Sequence, residues 1–81
     1  MDLRGAYERI EADMRAIWGD MAPAMLRKRL RDVRADPGSL TREALEQIVQ
    51  LLREKTLPSI LGAEGADAKA SQYLAWIADG P

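Results

Sequence analysis

Two pairs of carboxylates stand at helical spacing, Glu8 with Glu11 and Glu43 with Glu46. Acids three residues apart share one helix face, and in that arrangement they can act as an acid–base couple or hold a hard cation. Both pairs fall off the apolar seams and interleave with Arg9, Arg15 and Arg42, the pattern of a solvated helix face of mixed charge. The chain has no histidine and no cysteine. Serine–histidine, cysteine–histidine and thiolate–zinc chemistries therefore lack their residues. With no nucleophile–base pair to start from, the sequence predicts no catalytic residue, no metal ligand, no cofactor and a non-enzymatic role.

The sharpest charge feature is basic. Residues 21–34 contain Arg27, Lys28, Arg29, Arg31 and Arg34 against the single acid Asp32, a local excess of +4, in a chain whose 12 basic and 13 acidic residues give a net charge of −1. Such a stripe suits an acidic protein surface or phosphates. The overall charge gives no long-range steering toward nucleic acid, and no aromatic residue interleaves with the cluster for base stacking. The first expectation is pairing with the carboxylates of the first and third helices, within the fold or across a dimer, and the second is an acidic protein partner. Consecutive helical residues diverge by about 100°, so Arg27, Arg31 and Arg34 are expected on one face, with Lys28 beside them and Arg29 pointing away. The expected partners are Glu8, Glu11 or Glu46.

The elements that must carry these residues follow from periodicity and punctuation. Leu3, Tyr7, Ile10, Met14 and Ile17 repeat at spacings of 4, 3, 4 and 3, the seam of an amphipathic helix. This predicts a helix over 3–18, with Asp2 as N-cap and Gly19 as its left-handed terminator. Pro23 suits a first helical turn, and Met25, Leu26, Leu30 and Val33 stripe a second helix over 23–34. Asp36-Pro37-Gly38-Ser39 reads as a type II turn, with a positive φ at Gly38. Thr41 is the expected N-cap of a third helix over 41–56, with Leu40 stapled onto Leu45. Pro58 disfavours helical geometry at Leu57, leaving a short turn at 59–61 stopped by Gly62 and a loop over 62–65. A last helix over 66–78 presents Ala70, Tyr73, Leu74 and Ile77 inward. No segment alternates with period two. The expected fold is all-α, a small four-helix bundle forming one domain over 1–81. Trp18 and Trp76 are expected at the rim of its core.

Met21 extends the first seam to a sixth position and, with Met14 and Met25, forms a methionine cluster of the adaptable kind found in cores and binding surfaces. A stripe of that length exceeds what one neighbouring helix in so small a domain need cover. A self-complementary contact between two copies would use it. The predicted interface is Leu3, Tyr7, Ile10, Met14, Ile17 and Met21, together with Arg27, Arg31 and Arg34. No apolar run approaches the ~20 residues of a membrane span, and Met1-Asp2-Leu3-Arg4 does not open a signal peptide. A cytoplasmic setting without membrane contact is expected.

Two resemblances bear on function. Ser39-Leu40 ahead of a long helix, a Pro-bounded turn and a last helix ending in Tyr73, Leu74 and Ile77 resemble the layout of the acyl carrier proteins. That resemblance implies a four-helix carrier modified at Ser39 by phosphopantetheine. The motif departs from the family, since Gly38 stands where carriers have Asp. Residues Thr41 to Gln47 are also mixed in charge rather than acidic, and a strong basic helix replaces what is mostly loop. Trp18-Gly19, Met25 to Arg34, Leu40-Thr41 and Leu61-Gly62 are similar to small helical modules appended to prokaryotic signalling proteins, which implies an interaction or oligomerisation role. The sequence thus predicts a non-catalytic protein–protein interaction or homodimerisation module. The alternatives are a carrier domain modified at Ser39 and a nucleic-acid-binding protein using residues 27–34.

Overall fold

The computed structural model describes residues 3–79, and among these the chain is all helical with no strand. Helix α1 spans Leu3–Trp18. Its expected N-cap, Asp2, lies outside the described residues. Gly19 ends α1 at φ 64°, the left-handed conformation that glycine adopts without a Cβ penalty. A single 3₁₀ turn, Gly19–Met21, then leads into α2, Ala22–Asp32, with Pro23 in its first turn.

Helix α2 stops two residues before the expected Arg34. The Arg34 amide donates to the Arg31 carbonyl at 3.1 Å, and the Ala35 amide donates to the Leu30 carbonyl at 2.9 Å. This pair of bonds is a Schellman motif with Arg34 in the left-handed position. Arg34 accordingly has φ 56°, the only positive φ outside glycine among the described residues. Its side chain therefore leaves α2 from beyond the helix end and does not continue the Arg27–Arg31 row.

The turn that follows also departs from expectation. Pro37–Ser39 is a 3₁₀ turn, and Gly38 is not at positive φ. The Asp36 carboxylate accepts from the Gly38 amide at 2.8 Å. That local bond draws the backbone into a tight turn without demanding the left-handed residue of type II. Thr41 then caps α3, Arg42–Leu51, its Oγ1 accepting from the Ala44 amide at 3.1 Å.

The largest correction concerns the C-terminal half. Instead of a break, Leu52–Thr56 form a π turn closed by the Leu57 amide donating to the Leu52 carbonyl at 2.7 Å. Leu57 is helical, at φ −69° and ψ −36°. In an α-helix the ring of Pro58 would strike the carbonyl four residues earlier. Widening the preceding turn to an i→i−5 bond moves those carbonyls aside, so the proline is accommodated rather than terminating the chain direction. Helix α4, Pro58–Ala78, follows at once, and the expected loop at 62–65 shrinks to one kink at Gly62, φ 73° and ψ 174°. The chain from 42 to 78 is thus one bent helical body. With α1 and α2 it makes three bodies, not a bundle of four separated helices.

These bodies close on one core. Tyr7, Ile10 and Met14 of α1, Leu26 and Leu30 of α2, Leu45, Ile48 and Val49 of α3, and Tyr73 and Ile77 of α4 are all buried. Ala66 and Ala70 are buried too, letting α4 approach closely, and α1 touches each of α2, α3 and α4. Trp18 and Trp76 are half-buried at the core's edge. No helix among the described residues is long and apolar enough to cross a membrane.

Candidate protein-interaction surface

The surface is best read from its charges. Five ion pairs join described residues. Arg4–Glu8, Arg15–Glu11 and Arg29–Asp32 lie within single helices, at 3.2, 3.6 and 2.7 Å. Arg53–Asp67 at 3.5 Å links the π turn to α4, and Lys69–Asp13 at 2.9 Å links α4 to α1. Glu8 and Glu11 are therefore engaged with arginines of their own helix, and no three acidic residues among the described ones converge on a metal position.

Of the basic residues on and after α2, the one expected to point away, Arg29, is the one turned toward the fold. Its guanidinium donates to Asp32 and, through Nε at 3.3 Å, to the hydroxyl of Thr56, a buried residue of the π turn. Arg27, Lys28, Arg31 and Arg34 are exposed and pair with no carboxylate among the described residues. Glu8, Glu11 and Glu46 thus do not meet them within the chain. Arg27 and Arg31 flank a shallow hollow of about 220 Å³ whose other walls are Leu30 and Ala35. Long charged side chains around an apolar floor make a surface that can take both an acid and an apolar group.

The remaining predicted interface residues divide. Tyr7, Ile10 and Met14 are turned into the chain's own core, and Leu3 and Ile17 are half-buried against it. The α1 seam is covered by three helices of the same chain, α2, α3 and α4, rather than left for a partner. Met21 alone stands clear, 65% exposed, and the methionine cluster separates into buried Met14, half-buried Met25 and exposed Met21.

Beyond the end of α2 lies a larger hollow that sequence reasoning passed over. A groove of about 550 Å³ between the end of α2 and α3 has half-buried Val33 and Leu51 in its walls, with Asp32, Glu43 and Glu46 around them. Its signal was in the spacing. Glu43, Glu46, Gln47 and Gln50 stand at i, i+3, i+4 and i+7, one polar row on one helix face, and all four line the groove. Glu43 and Glu46 are in no ion pair among the described residues.

A second polar cluster is structural. The Tyr73 hydroxyl donates to Asp13 at 2.6 Å, and Lys69 donates to the same carboxylate. Burial raises the Tyr73 hydroxyl above its ordinary value, and the hydrogen bond to Asp13 and the charge of Asp13 raise it further. Tyr7 is also raised, by burial first and the Glu11 charge second, with Arg27 opposing. Beside this cluster, the Arg9 guanidinium lies 4.3 Å from the Trp76 ring centroid, and that ring sits 5.4 Å from Tyr73. Trp76 is thereby engaged within the fold.

Ser39 is exposed in the 3₁₀ turn, two residues before the Thr41 cap, and its amide donates to the Asp36 carbonyl at 3.0 Å. No family model, curated protein or solved structure matches the chain.

Proposed function

We propose that the chain is a non-catalytic protein-interaction module that presents the cations of α2 to an acidic protein surface. The observation that carries this reading is the contrast on one helix. Arg29 is held by Asp32 and Thr56, while Arg27, Lys28, Arg31 and Arg34 stand exposed and without a carboxylate partner among the described residues. Arg27 and Arg31 also bracket an apolar hollow, which offers an acidic partner some desolvation as well as charge. Charge complementarity of this kind sets specificity and on-rate more than raw affinity.

The test uses a labelled oligoglutamate peptide and a duplex DNA of matched charge, followed by fluorescence anisotropy at chain concentrations low enough to keep the protein dispersed. The peptide should bind, weaken as salt rises, and lose binding when Arg27→Glu and Arg31→Glu are combined. Preference for the duplex would replace this reading with nucleic-acid binding. Failure of both probes would end it.

A further inference from the structure

The three hollows around the end of α2 are one continuous strip. The basic hollow shares Ala35 with a middle hollow of about 340 Å³, and the middle hollow shares Val33, Glu43 and Gln47 with the acidic groove. One end of the strip therefore carries unpaired Arg27 and Arg31, and the other carries unpaired Glu43 and Glu46. Between them lie half-buried Val33 and Ala35, flanked by exposed Arg34, Asp36, Ser39 and Thr41. A contact with two-fold symmetry requires a patch that complements itself, with residue i meeting j while j meets i. A strip positive at one end and negative at the other meets that requirement, and its middle hollow adds one charge of each sign, Arg34 and Asp36. Rotating a second copy by half a turn about the centre lays each basic end on the other copy's acidic end.

We infer that the partner of the α2 face is a second copy of this chain, docked through the strip from Arg27 to Glu46 as a closed two-fold dimer. This rests on the reading of the α2 cations as a binding face and names what they bind. The α1 seam takes no part, since the core uses it. The groove receives Arg27 and Arg31 of the partner copy beside Val33 and Leu51, and the symmetry doubles every contact.

The experiment is sedimentation velocity over a concentration series, with two charge-reversed variants. One carries Arg27→Glu and Arg31→Glu, which makes both ends of the strip acidic. The other carries Glu43→Lys and Glu46→Lys, which reverses the acidic end so that both ends carry added cations. All four positions are on the surface or half-buried, and circular dichroism checks that both variants remain helical. The wild-type chain should dimerise with concentration. Each variant alone should dimerise at least roughly tenfold more weakly, since favourable pairs become like-charge pairs twice over. An equimolar mixture should recover the dimer, because only the mixed pair matches both ends. A wild-type chain that stays monomeric, a variant that dimerises as well as wild type, a mixture that stays monomeric, or growth beyond the dimer would each overturn the inference. A monomeric wild type that still binds oligoglutamate through Arg27 and Arg31 overturns the dimer and leaves the interaction module standing. A monomer that binds no acidic probe overturns both.

Discussion

Arg34 occupies a backbone conformation that its side chain opposes. At φ 56° its Cβ crowds the following carbonyl, a cost of about 1–2 kcal/mol for an ordinary residue. The two Schellman bonds to Arg31 and Leu30 repay it. Arg34→Gly should therefore stabilise the fold by about 1 kcal/mol in urea titrations, with the slope unchanged. Arg34→Ala keeps the Cβ and should give no such gain, which separates a backbone effect from loss of the charge. Single residues of this kind were unevenly legible. Gly19, Gly62 and the Thr41 cap could be read from residue type, because their roles are local and each type is suited to its role. Arg34 could not, since nothing about arginine marks a left-handed position. Gly38 misled because the Asp36 side chain, two residues away, settled the turn first.

At the scale of elements, the C-terminal half turns on how a helix passes Pro58 and Gly62. Periodicity found the helices, but a proline inside a helical pattern has two outcomes, a break or a widened turn. The choice rests on tertiary packing: Leu52, Thr56 and Leu57 are all buried, and a break there would have exposed them. Gly62 then redirects α4 with φ 73° and ψ 174°, a region open essentially to glycine alone. A Cβ there would meet nothing within 4 Å, so any penalty is purely conformational. Gly62→Ala should cost about 1–3 kcal/mol, read as a lower urea midpoint. An unchanged midpoint would mean that α4 runs straight through. The clasp between α1 and α4 makes a separate prediction. Tyr73→Phe removes the bond to Asp13 but leaves Lys69 on that carboxylate. The loss should be about 1–2 kcal/mol, within the range of a hydrogen bond to a charged acceptor. Because the folded state raises the Tyr73 hydroxyl above its unfolded value of 10.0, the folded protein holds that proton more tightly. This stabilisation is complete below pH 10 and is lost as the pH climbs past it toward the folded value. The wild type should lose stability in alkali more steeply than Tyr73→Phe.

For the whole molecule the decisive question is what the α1 seam is for. Six positions from Leu3 to Met21 looked like more apolar surface than one small domain could cover, and hence like an interface. The structure covers it with three helices, leaving Ile10 and Met14 with no solvent exposure and only Met21 outside. The seam's period was legible, but its partner was not, since a heptad pattern is the same whether the facing helix belongs to the same chain or to another. The interaction strip was harder still. It is assembled from residues between 27 and 51, on α2, the turn after it and α3, whose charges look like ordinary solvated faces until the fold sets them side by side. The two roles separate under mutation. Ile10→Ala opens a cavity in the core and should cost about 2–5 kcal/mol. That is a large share of the stability of a domain this small, and the chain should be partly or wholly unfolded even at high protein concentration. Were the seam an interface, the same change would leave a folded monomer whose helicity is intact and whose association alone is lost. Circular dichroism melts at low and high concentration distinguish these outcomes. A fully folded monomeric Ile10→Ala chain would return the seam to the surface and displace the strip of Arg27, Arg31, Glu43 and Glu46 as the place where a second copy binds.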